Sequence, residues 1–141
     1  MSHHHHEHCC CGHDHHHEHH HESERPKHGF TLDVHIHEGA VAAAGECTVA
    51  ASCPECACKR IESGLQALAN WVNGKNGIIG HIKASVQKTE TRMYSITDKE
   101  LAAVDGQTAL HIKIAAIVYL VEPDELKNEM AALLRNIVTE E

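Results

Sequence analysis

No apolar run in this sequence is long enough to cross a bilayer: the longest, Ile114–Val121, has eight residues. A membrane-spanning helix needs about twenty. Nothing near the N-terminus has the make-up of a signal peptide either, because residues 1–24 hold no aliphatic side chain after Met1 and no Lys or Arg. Both absences lead us to expect a cytoplasmic protein, where thiols stay reduced. The seven cysteines are then expected as ligands or core residues rather than as a disulfide framework. Basic charge is also scarce. Twelve Lys and Arg stand against 20 Asp and Glu, for a net charge of −8, and the deficit is spread over both parts of the chain. No basic patch offers a surface to nucleic acid or to an anionic membrane, whereas acidic charge suits capture of cations. The signatures of common enzyme classes are missing: there is no Gly-x-x-x-x-Gly-Lys-Ser/Thr loop, no Gly-x-Ser-x-Gly elbow and no His-Glu-x-x-His. We therefore expect a binding protein rather than an enzyme.

What is present is concentrated at one end. Residues 1–24 hold twelve of the seventeen histidines, three of the seven cysteines and five acids. The donors are His3, His4, His5, His6, His8, Cys9, Cys10, Cys11, His13, His15, His16, His17, His19, His20 and His21. Imidazole nitrogen and thiolate sulfur are good ligands for borderline and soft divalent ions, and the carboxylates between them add charge and oxygen donors. The segment has too little apolar surface to offset the entropy of ordering, so it is expected to be disordered without metal. His3–His6 alone would pass for an expression tag. The run continues through Cys9-Cys10-Cys11 and interleaved acids, which points to a native metal-binding tract. The expected ions are Ni²⁺ or Zn²⁺, with Co or Cu as further options. A flexible multidentate tail suits buffering and hand-over better than catalysis, since no scaffold fixes its ligands.

This tail resembles the histidine-rich extensions of nickel and zinc metallochaperones, among them hydrogenase and urease accessory proteins and metal-handling GTPases of the cobalamin-associated type. The resemblance covers residues 3–21 and is compositional. It implies metal storage or delivery, with a recipient metalloprotein or GTPase as partner, and implies no fold.

Arg25 to Gly29 form a breaker-rich linker, and residues 30–139 are expected to make a single folded domain. Thr31 to His37 alternate strictly, with Leu32, Val34 and Ile36 on one side and Asp33, His35 and His37 on the other, as in a half-buried strand. Glu38-Gly39 signals a turn, and Val41 to Ala51 reads as the hairpin's second strand. Ser52 with Glu55 forms a capping box for a helix whose stripe is Ile61, Leu65, Leu68 and Val72; Asn73-Gly74 and Asn76-Gly77 end it. Ile78 to Gln87 alternates again, with Ile78, Gly80, Ile82, Ala84 and Val86 expected inward. Arg92 to Ile96 extends the sheet. Thr97-Asp98-Lys99-Glu100 is a second capping box and predicts a short helix to Asp105, stopped by Gly106. Leu110 to Val121 is the strongest strand. Pro123 opens a last helix with Leu126, Met130, Leu133 and Ile137 as its buried stripe. The order is β-β-α-β-(β or α)-β-α. It predicts an α+β two-layer sandwich, with a four-stranded, mostly antiparallel sheet and two main helices on one face. A ferredoxin-like sheet with the chain permuted, ββαββα, fits that order. The open face would carry Asp33, His35, His37, His81, Lys83, His111 and Lys113, with Ile117, Tyr119 and Val121 beyond them, and could serve as a homo-oligomer interface.

Cys53-Pro54-Glu55-Cys56-Ala57-Cys58 is the most specific motif of the folded part. A helix start lowers thiol pKa and so favours the thiolate a metal needs. The strand–Cys-x-x-Cys–helix context looks like the heavy-metal-associated domains of copper and zinc transport, although Ala51-Ser52 precedes Cys53 where those domains carry Gly-Met-Thr. The same lowered pKa would serve a redox pair like that of glutaredoxins, with Cys53 as nucleophile. A thioredoxin-like fold also needs a cis-proline beside the cysteines, and neither Pro26 nor Pro123 is well placed for one. A purely structural role is the third option for Cys53 and Cys56; Cys47 and Cys58 are expected in the core. His35 and His37 share one strand face at two-residue spacing, close enough to converge on one ion. His81 and His111 belong to matching His-Ile-Lys tripeptides on neighbouring strands and are a further candidate pair.

Overall fold

A computed structural model describes residues 29–139 of the chain. The order is β1 (Phe30–His37), β2 (Ala40–Ala50), α1 (Pro54–Gly74), β3 (Ile78–Thr97), β4 (Glu100–Tyr119) and α2 (Pro123–Thr139). The four strands form one antiparallel sheet in the order β1-β2-β4-β3. Alternation decides which face is covered. Leu110, Ile112, Ile114, Ala116 and Val118 of β4 are at most 1% exposed, and they bury against Ile61, Leu68 and Val72 of α1 and Leu126, Met130 and Leu134 of α2. Fully burying a valine, leucine, isoleucine or methionine side chain contributes about 1.5–3 kcal/mol. A slip of one residue in β4 would turn five of them to water, so this strand sets the register.

Two glycines are required by geometry. Glu38 (φ 49°) and Gly39 (φ 80°) both take left-handed backbone, the conformation of the tight two-residue turn that joins antiparallel strands without splaying them. Gly45 on β2 lies where α2 crosses the sheet; a Cβ there would sit 2.5 Å from Leu134 Cδ1. At the end of α1, Asn76 (φ 56°) supplies the left-handed step, and the Gly77 N–H donates to the Val72 carbonyl at 3.0 Å.

Several expectations change. The capping-box reading of Thr97–Glu100 is overturned: Thr97 and Glu100 pair across a hairpin turn, and β4 begins at Glu100 in place of the short helix. The first helix is capped by Cys53 rather than Ser52, with Pro54 in its first turn. A register shift between Ile79 and His81 rotates the start of β3. Ile79 therefore packs on the core, while Ile78 is 56% exposed. Val121 joins the core and leaves the open face to Ile117 and Tyr119. No helix among the described residues is long and apolar enough to cross a membrane.

Candidate functional site

Cys53 caps α1, and Pro54 follows at a position where a missing N–H costs nothing, because the first N–H groups of a helix have no partner within it. The Cys56 N–H donates to Cys53 Sγ at 3.3 Å. The two cysteines lie one helical turn apart, with Cα atoms 5.3 Å from each other, and are joined in a disulfide. Both are exposed. The helix dipole and the capping N–H would favour negative charge on Cys53 Sγ whenever the bond is open. The first turn also carries Glu55, and the half-buried Cys58 follows in the second. Lys88 of β3 feels both of them: its ammonium is held above the usual lysine range by a hydrogen bond to Glu90, then by the Glu90 charge, with smaller contributions from Glu55 and Cys58.

Cys47 is buried on β2, and burial, followed by the Glu46 charge, pushes its thiol up to about 11. It is a core thiol that stays protonated at neutral pH, in line with the sequence reading. Cys58 is half-buried rather than fully in the core.

On the open sheet face the histidines are dispersed. His35 Nδ1 lies 3.7 Å from Asp33 Oδ2, and His37 Nε2 lies 3.9 Å from Glu38 Oε2, all of them well exposed. β1 and β3 are opposite edges of the sheet, about 14 Å apart at the usual strand spacing, so His81 does not meet the β1 histidines. The proposed His81–His111 pair is also broken up: His81 stands opposite Ile117 and His111 opposite Gln87, because the matching tripeptides run antiparallel and out of step. Among the described residues, no three His, Cys, Asp or Glu side chains stand together where they could hold a metal ion. The tail donors, His3 to His21 with Cys9, Cys10 and Cys11, lie outside the described residues.

One chain of contacts went unread in the sequence. His111 Nδ1 is 2.7 Å from Thr48 Oγ1, and His111 Nε2 is 2.7 Å from Glu46 Oε1. For a neutral ring the consistent arrangement has Nε2–H donating to the carboxylate and the threonine hydroxyl donating to Nδ1. Both ring nitrogens are then engaged, so His111 is withdrawn from metal binding unless one bond opens. Glu46 also borders a shallow groove floored by Ala44 and Ala115 and flanked by Thr31, Lys83 and Lys113. Only the strand register brings Glu46, Thr48 and His111 together, and no local sequence signal announces it. No family model, curated protein or solved structure matches this chain.

Proposed function

We propose that this protein is a transition-metal carrier of the cytoplasm, which stores, buffers or delivers Ni²⁺ or Zn²⁺, with Co or Cu as alternative cargo. The observation that carries the reading is the density of donors in residues 1–24: twelve imidazoles, three thiols and five carboxylates. At about four ligands per ion this is enough for several ions held in exchangeable sets. The folded part would then present the cargo to a recipient metalloprotein or GTPase, with the reduced Cys53–Cys56 pair as a docking point for one soft ion. The carrier is a binder and not a catalyst. Its fold reads as ferredoxin-like with the chain permuted, since moving β1 to the end of the order gives β-α-β-β-α-β; this likeness of order carries no function of its own.

The test is metal stoichiometry under reducing conditions, with full-length protein compared to a version starting at Arg25. Full-length protein should take up several equivalents of Ni²⁺ or Zn²⁺ and the shortened one no more than one. Equal uptake by both would end the reading.

A second reading is favoured by one observation, the bond between Cys53 and Cys56. Here the pair exchanges with a disulfide of another protein. The Cys53 thiolate attacks it to form a mixed disulfide, and Cys56 resolves that, so two electrons pass to the substrate as two thiols while the pair closes. A reduction potential for the pair decides: a value far below the cytoplasmic thiol pool would keep the bond closed and inert.

A further inference from the structure

The long β3–β4 hairpin outruns the rest of the fold. β2 pairs with β4 only as far as Ala50 opposite Ala109, with one more bond from the Ala51 N–H to the Thr108 carbonyl at 2.9 Å. Beyond a register shift that follows Glu90, Arg92–Thr97 and Glu100–Asp105 pair, among the described residues, only with each other. No helix among the described residues covers them, and their large apolar side chains are exposed: Tyr94 is 64% exposed, Ile96 74% and Leu101 66%. An isolated two-stranded ribbon is marginally stable at best, and a ribbon with apolar side chains is a ready surface for association.

We propose that this outer ribbon is a self-association arm, which stacks face to face on the same ribbon of a second copy of the chain. Alternation along β3 from Lys88, opposite the buried Leu110, places three cross-strand pairs on the face that continues the helix-covered side of the sheet. They are Arg92 with Asp105, Tyr94 with Ala103, and Ile96 with Leu101. Arg92 lies 3.6 Å from Asp105 and stacks over the Tyr94 ring at 5.6 Å. The hairpin tip adds Asp98 and Lys99.

This face complements itself. A two-fold axis across the ribbon, at the height of Ser95 and Ala102, runs the two arms antiparallel. It sets Tyr94 over Ile96 of the second copy and Ala103 over its Leu101, each apolar group on an apolar one. The same axis brings Arg92 toward the second copy's Asp98 and Asp105 toward its Lys99, each charge near an opposite one. The two bodies then lie at opposite ends. The parallel alternative would drive both helix layers into one gap of about 10 Å between sheets, which excludes it. The other face of the ribbon mixes Met93 and Val104 with Ser95, Thr97 and Glu100 and is less apolar. An overlap about 23 Å long and two strands wide buries on the order of 500 Å² per copy, below the roughly 800 Å² of a standard interface. The dimer should therefore be a dissociating one in the micromolar range.

Sedimentation equilibrium of the full chain tests this, with reductant and chelator present so that neither thiols nor tail-bound metal link the copies. A monomer–dimer equilibrium in the micromolar range is expected. Ile96→Lys with Leu101→Glu keeps a favourable cross-strand pair within the hairpin and should weaken the dimer by roughly tenfold or more. Arg92→Asp with Asp105→Arg preserves the pair inside the chain but opposes Asp98 and Lys99 of the second copy, and should weaken it likewise. Adding Lys99→Glu restores one attractive pair and should recover part of the loss. A chain that stays monomeric to sub-millimolar concentration overturns the proposal, and so does a dimer that both double variants leave unmoved.

Discussion

Raising the pH should reveal which thiol of the folded part is withheld from metal. Cys47 is 4% exposed, between Phe30 on β1 and Ile112 on β4. Burial raises its pKa from 9.0 to about 11, and the neighbouring Glu46 carboxylate pushes the same way. The folded state thus keeps a proton that the unfolded chain has already released. Its contribution is fully present below the unfolded value and falls as pH climbs through the window between the two. Each pKa unit corresponds to about 1.4 kcal/mol, so the loss should be roughly 2–3 kcal/mol by the top of the window. The assay is urea unfolding followed by Trp71 fluorescence from about pH 8 to about pH 11, with wild type compared to Cys47→Ala. The variant loses packing at every pH but lacks the titrating thiol, so other groups that ionise in this range cancel in the comparison. The wild-type curve should fall by the stated amount more than the variant's. Parallel curves would refute the reasoning.

Two further substitutions probe the scaffold and the cysteine turn. Gly45→Val would place a side chain against Leu134, which is fully buried; overpacking of this kind should cost about 1–3 kcal/mol, read as a shift in urea midpoint. Cys53→Ala removes both the bond to Cys56 and the acceptor for the Cys56 N–H. It should destabilise α1 by about 0.5–2 kcal/mol and leave Cys56 open to alkylation, which peptide mass mapping detects, while Cys47 stays unlabelled until the chain unfolds.

The strand and helix order could be read in the sequence where local pattern and long-range packing agree. β1 alternates, its turn demands the left-handed backbone that Gly39 supplies, and the α2 stripe of Leu126, Met130, Leu133 and Ile137 is buried as its spacing predicts. The capping box at Ser52 competes with a second local signal one residue on: proline favours the first helical position, so Pro54 points to Cys53 as the cap, and that signal wins. Gly80 marked the irregularity in β3 in the same way, since glycine inside a strand often accompanies a bulge.

Thr97-Asp98-Lys99-Glu100 is a different kind of failure. Hydroxyl, two polar residues and an acid, flanked by Ile96 and Leu101, satisfy the capping-box pattern and also make a hairpin turn, with Asp98 in left-handed backbone at φ 57°. Ala102 and Ala103 favour helix, so local propensity tilts toward the wrong answer. The strand reading gains from partners far along the chain. Each residue from Glu100 to Asp105 finds its hydrogen-bonded neighbour between Arg92 and Thr97, and the ladder continues into the buried register of Leu110, Ile112 and Ile114. Once those are seated against the helices, the chain before them is already extended and next to β3. Adding ladder bonds there needs no new nucleus, whereas a short helix would have to nucleate alone. The Thr48–His111–Glu46 contacts were hidden for a related reason. They exist only in the register that places Thr48 opposite His111, and that register is set by apolar residues on the other face of the sheet. The chemistry on the open face is thus positioned by packing on the covered one, which no local reading of the histidines could supply.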